Sequence, residues 1–294
     1  ASDVYKRQDE VVVTIKENAG TATYDGGDHI VSGYASMTAD NELYDVDASV
    51  QETPTAAWAA KGTNVGEYPV GIVAGDFKNT NANFSNVEFV VVDGKLEITP
   101  VTDEVVVTIT ENSGTVKYDG TEKTVTGYTV TNISNKLYAE KDFTFNGKAE
   151  VKGTDAGTYD MALKASDFTN RNANFSKVTF VIEDGQLVIE KRKVTLTSGS
   201  GEKVYDGTAL TNGTVTVGGA DGFADGEGAT YDVTGSQTVV GESDNTFTYT
   251  LNKGTKADNY TIEKTEGKLK VTAVTDEVVV TIKELSLIHI SEPT

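Results

Sequence analysis

Two histidines, His29 and His289, are all the imidazole this chain has, and cysteine is absent. Catalysis by an imidazole would therefore lean on one of two side chains. His29 sits in a turn, "DGGDHIV", and Lys123 takes its place one repeat later, so a Ser-His-Asp relay would rest on a single unrepeated residue. The stretch "SGSGE" at 198–202 lacks the glycine spacing of a nucleophile elbow. "GEG" at 226–228 is followed by Tyr231 where a phosphate loop would want glycine. Carboxylates are plentiful enough for a glycosidase-like pair. Yet an enzyme rarely repeats its whole domain with its carboxylates shuffled, and no enzyme is predicted.

Two binding chemistries remain. "GGADGFADGEGA" at 218–229 puts Asp221, Asp225 and Glu227 on a Gly-rich loop, and hard cations take several such oxygens. Weak calcium binding is the sharper reading of this loop, and a solvated acidic turn is the favoured one. "DVDAS" at 45–49 opens like an EF-hand but has Val50 where the sharp turn needs glycine. Trp58, the single tryptophan, could stack on a sugar ring, which would make the repeats glycan-binding modules. Its counterpart Ala149 favours a core-facing or half-buried role instead.

The elements that carry these residues recur. "EVVVTIKE" at 10–17 returns as "EVVVTITE" at 104–111 and as "EVVVTIKE" at 277–284. "TATYDG", "TVKYDG" and "EKVYDG" bring Tyr24, Tyr118 and Tyr205 back about every ninety residues. "NANFSNVEFVVVDGKLEI" at 81–98 matches "NANFSKVTFVIEDGQLVI" at 172–189, with "ADNYTIEKTEGKLKV" at 257–271 in the same place. A period this long means separate beads, each with its own core. Their β-branched segments alternate with period two, the mark of half-buried strands. The fold class is all-β: tandem small β-domains in an extended array, with an Ig-like sandwich favoured and a β-grasp-like variant second. Asp93-Gly94 and Asp184-Gly185 read as type I′ hairpin turns. Domains fall at 9–101, 102–191 and 192–273, with 274–284 the first strand of a truncated fourth repeat. Each repeated tyrosine reads as a structural plug entering a turn closed by Asp-Gly.

The charge narrows the partners. Asp and Glu number 45 against 25 Lys and Arg, a net charge of −20, which repels nucleic acid and anionic lipid. The longest apolar stretches, such as "FVVV" at 89–92, fall far below the roughly 20 residues of a membrane helix. A monomer without membrane insertion is expected.

The Tyr-Asp-Gly turns, the "AGTY"-type strand and the closing "DG-L-I" segment resemble the MBG/YDG-type repeats of large bacterial cell-surface proteins. The third unit, with "KVYDGTALTNGTVTV" at 203–217, is the most similar. The resemblance implies a secreted, wall-attached, adhesin-like protein of Gram-positive bacteria, in which such repeats form a stalk. It also implies host glycans or surface proteins as partners of the parent protein. The two ends stand apart. "ASDVYKRQ" at 1–8 and "LSLIHISEPT" at 285–294 back-translate into the two ends of a transposon adapter used in sequencing. The chain is accordingly expected to be an internal fragment of a longer array.

Overall fold

The computed structural model describes residues 10–284, so both adapter-like ends, and His289 with them, lie outside it. Among the described residues strand makes up 49% and helix 6%, and the only α-helix is Val46–Ser49. The chain is all-β, built from many small sheets.

Each repeat builds two three-stranded sheets on two central strands. In the first repeat Val11–Glu17 lies between Tyr34–Ala39, antiparallel, and Val87–Val92, parallel. Lys95–Thr99 lies between Gly20–Thr23, parallel, and Gly66–Pro69, antiparallel. The pattern returns around Val105–Glu111 and Gln186–Glu190, and again around Arg192–Ser198 and Lys268–Thr272. Alternation places the core. Val11, Val13 and Ile15 are at most 1% exposed and pack with Leu96 and Ile98 of the other central strand.

Two expectations change here. An Ig-like sandwich has antiparallel sheets, whereas every central strand here runs parallel to one neighbour. The Ig-like topology is therefore not the one adopted. The Asp-Gly hairpins are also absent. Val87–Val92 and Lys95–Thr99 flank Asp93-Gly94 but belong to different sheets, as do Val178–Glu183 and Gln186–Glu190 around Asp184-Gly185. Asp-Gly marks the crossover between sheets.

The crossover glycine serves close approach, not left-handed backbone. A Cβ on Gly94 would stand 2.1 Å from the Asn18 carbonyl oxygen, and one on Gly185 2.4 Å from that of Asn112. Neither glycine has a positive φ. A buried carboxylate explains the crowding. Glu17, 4% exposed, accepts the Ile72 N–H at 2.6 Å and the Gly94 N–H at 2.6 Å. Glu111 does the same for Leu163 at 2.5 Å and Gly185 at 2.7 Å. In the third repeat the Ser198 hydroxyl accepts from Gly267 at 3.0 Å and donates to the Asn245 carbonyl at 2.6 Å.

The described residues form two compact units. One runs through Asn112 and adds Thr126–Glu150 and Asp160–Gly185; the other takes Ser113–Val125, Val151–Tyr159 and the chain from Gln186. The division falls inside the second repeat. The joint between repeats one and two thus lies wholly in one unit, and the joint between two and three in the other. Residues 277–284, expected as a strand, form none: Val278, Val279, Val280 and Ile282 are 76–85% exposed. A lone strand has no ladder to join and gains nothing by forming.

Candidate functional site

The repeated Tyr-Asp-Gly turn builds one half of each joint. Asp25 accepts the Gly27 N–H at 2.8 Å, Asp119 that of Thr121 at 2.9 Å, and Asp206 that of Thr208 at 2.9 Å. These are Asx turns, which fix the chain locally. The intervening Gly26, Gly120 and Gly207 have φ of +82°, +83° and +82°, a region that costs other residues about 1–2 kcal/mol. The tyrosine before each turn is pinned by its backbone: Tyr24, Tyr118 and Tyr205 donate their N–H to the carbonyls of Thr99, Glu190 and Thr272. The expected Asp-Gly closure is present, and its product is a tyrosine held at the end of each repeat.

An Asn-aromatic pair of the next repeat meets that tyrosine. At the first joint Phe175 packs edge-on to Tyr24, with centroids 5.6 Å apart. Asn174 beside it accepts the Val65 N–H at 2.7 Å and donates to the Asn64 side chain at 3.0 Å. The Asn174 carbonyl also accepts the Val101 N–H at 2.9 Å. At the second joint Tyr260 packs edge-on to Tyr118 at 5.7 Å. Asn259 accepts the Ala156 N–H at 2.7 Å and donates to Asp155 at 3.0 Å. Asn174, Phe175, Asn259 and Tyr260 are all buried. The two joints therefore share one construction.

The residues expected to hold calcium belong to the second joint. Glu227 accepts from both ring hydroxyls, Tyr118 on one oxygen and Tyr260 on the other, the latter at 2.8 Å. Asp221 is paired with Lys117 at 2.7 Å and accepts the Lys193 N–H at 2.8 Å. The Lys117 ammonium beside Asp221 holds its carboxyl below the usual carboxylate range. The Arg192 guanidinium donates to the carbonyls of Gly222, Asp221 and Tyr118. Asp225 is exposed. The structure thus joins Asp221 and Glu227 in one joint but turns them to different partners, and no group of three metal-type ligands gathers among the described residues.

Trp58 faces its own domain. Its indole N–H donates to Asp76 at 2.8 Å and its ring stacks on Phe77 at 5.3 Å. Phe145 makes the matching contact with Phe168 in the second repeat, at 4.9 Å. Phe145 ends the strand Phe143–Phe145, whereas Trp58 lies just before the strand Ala59–Gly62, so the residue aligned with it in sequence is Ala149. His29 opens the strand His29–Ser32, just past the turn, and lies against Asp25 at 3.0 Å.

With the joints built from repeated turns and repeated Asn-aromatic pairs, the comparison with known families has a structural meaning. Residues 105–191 match the MBG domain. The match begins at Val105, the first residue of the second repeat's opening strand, and ends one residue before Arg192–Ser198 begins. The matched segment therefore coincides with the second repeat. MBG domains occur in surface adhesin-like proteins. No curated protein matches the chain.

Sequence reasoning missed the asparagines and the buried glutamates. The signal was there: Asn-Phe at 174–175 and Asn-Tyr at 259–260 recur, as does the glutamate ending "EVVVTIKE" and "EVVVTITE".

The shared carboxylate at the second joint predicts an alkaline transition. Burial, reinforced by Glu227, pushes Tyr118 and Tyr260 up to about 12. A raised phenol pKa favours the protonated, folded form, so the stabilisation is complete below the unfolded value near 10. It is lost as pH rises through about 12. Absorbance at 295 nm should show a late tyrosinate step that these two share with Tyr34 and Tyr138. In Glu227→Gln two of those four should titrate earlier; an unchanged profile would contradict the assignment.

Proposed function

We propose that the chain is a spacer segment of a bacterial surface adhesin-like protein, working mechanically and not as an enzyme. The observation that carries this is the repetition of one buried joint. An asparagine with both side-chain ends bonded, beside an aromatic edge-on to the preceding tyrosine, resists the free rotation a polar linker allows. A stalk needs such joints, because distance is set only if successive domains hold their angles. The net charge of −20 adds mutual repulsion between beads. Small-angle scattering tests the proposal. A compact globule of this length would have a radius of gyration of about 19 Å. The expected value is well above that, and a radius near 19 Å would refute the spacer role.

A further inference from the structure

The two joints differ in one charge. At the second, Lys256 stands three residues before Asn259 and pairs with Asp155 at 2.6 Å. The Lys256 ammonium beside Asp155 holds its carboxyl below the usual carboxylate range. At the first, Arg171 stands three residues before Asn174, and Asn64 accepts the asparagine amide as Asp155 does. The cation is kept there, but its carboxylate is replaced by a neutral amide. Arg171 is exposed and has no carboxylate partner among the described residues.

A second cation stands beside it. The Arg171 N–H donates to the Asp142 carbonyl at 2.7 Å, which sets Arg171 against the turn Glu140–Asp142 that carries Lys141. Lys141 is likewise exposed and without a carboxylate partner among the described residues. The matching bond in the first repeat runs from the Thr80 N–H to the Ser49 carbonyl, so the corresponding residues there are Thr80 and Ala48. Neither is charged. Asp142, the adjoining carboxylate, closes its own turn by accepting the Ala139 N–H at 2.8 Å.

Arg171 and Lys141 line an open cleft of about 450 Å³, within the range of small-ligand sites. Its other walls include Tyr24, Asn64, Asn172 and Leu137, the last 42% exposed. We propose that this cleft binds a carboxylate-bearing sugar, a uronate or a sialate. The sugar carboxylate pairs with Arg171 as Asp155 pairs with Lys256, and the planar guanidinium offers it two parallel donors. Lys141 adds the second positive charge. The side-chain oxygens of Asn64 and Asn172 both accept from Asn174 at 3.0 Å, which leaves their NH2 groups to donate to ring hydroxyls. Leu137 and the Tyr24 ring give the apolar surface that a sugar's C–H face needs. The net charge of −20 opposes an anion at long range, but salt screens beyond about 8 Å, so the local pair of cations decides.

Saturation-transfer NMR on the full chain should detect sialyllactose or trigalacturonate with a dissociation constant of about 1 mM, and the tighter of the two names the source. Neutral lactose should bind about tenfold more weakly or not at all. Arg171→Gln should lower the affinity about tenfold, the worth of a charge-assisted pair. Asn64→Asp should do the same with the fold kept, because it rebuilds at this joint the ion pair of the other and so displaces the ligand's carboxylate. Lys256→Gln, at the joint whose cation is already paired, should leave binding unchanged. No binding of either acidic sugar at about 10 mM overturns the proposal. So does lactose binding equally well, an affinity that survives Arg171→Gln and Asn64→Asp, or a tetraglutamate peptide that binds as tightly as the sugars.

Discussion

Glu17→Ala should destabilise the first repeat by about 4 kcal/mol. The carboxylate is buried and accepts two backbone N–H groups, from Ile72 and Gly94. Truncation takes the carboxylate acceptor away from both buried donors, at about 1–3 kcal/mol each. It also opens a cavity beside Gly94, where Asn18 and the Glu17 Cβ already press on the backbone. Glu17→Gln keeps the volume and one acceptor but turns an N–H towards the other donor, so about half the loss is expected. Trp58, the single tryptophan, lies in this repeat and packs on its core, so its fluorescence in urea reports this repeat alone. A midpoint unchanged by Glu17→Ala would mean that the crossover holds without its carboxylate.

The same carboxylate shows what the sequence could and could not disclose. Alternation in "EVVVTI" places Val11, Val13 and Ile15 in the core, because a strand's side chains must alternate whatever it pairs with. Pairing partners are a different matter. Asp-Gly between two apolar runs fits a hairpin and a crossover equally well locally, and the choice was made by Glu17, far away in sequence. Its side chain claims the Gly94 N–H and brings the Asn18 carbonyl against the glycine. The joints were half legible for a similar reason. Tyr-Asp-Gly announced its turn through the aspartate bond and positive-φ glycine, both local. That Tyr118 would share Glu227 with Tyr260 depended on residues more than a hundred positions apart, and a list of acidic residues suggested a cation instead. Trp58 was ambiguous because its structural counterpart, Phe145, lies on a strand that does not align with it.

The same substitution at the two joints should have opposite severity. Asn174→Asp keeps an oxygen to accept the Val65 N–H, and its other oxygen meets the Asn64 side chain. Asn64 is an amide and can turn its NH2 group inward, so the pair is re-formed with donor and acceptor exchanged. The expected cost is about 1 kcal/mol or less. Asn259→Asp also keeps the Ala156 N–H, but its second oxygen is set against Asp155, which has no proton to offer. Two carboxylates would then face each other at a position that is 0% exposed in the native chain. Lys256, paired with Asp155 at 2.6 Å, offsets only part of that repulsion. A buried like-charge contact of this kind costs about 3 kcal/mol, which moves the melting temperature of a small domain by roughly 10 °C or more. Calorimetry of the full chain should show Asn174→Asp close to the parent and Asn259→Asp with its lowest transition well below it. The sign of the pH dependence follows. The introduced carboxyl, pressed against Asp155, has its pKa raised in the folded state, so folding takes up a proton and the penalty shrinks as the solution is acidified. Equal effects at both joints, or a penalty at Asn259 that grows on acidification, would show that the asparagines act by packing alone.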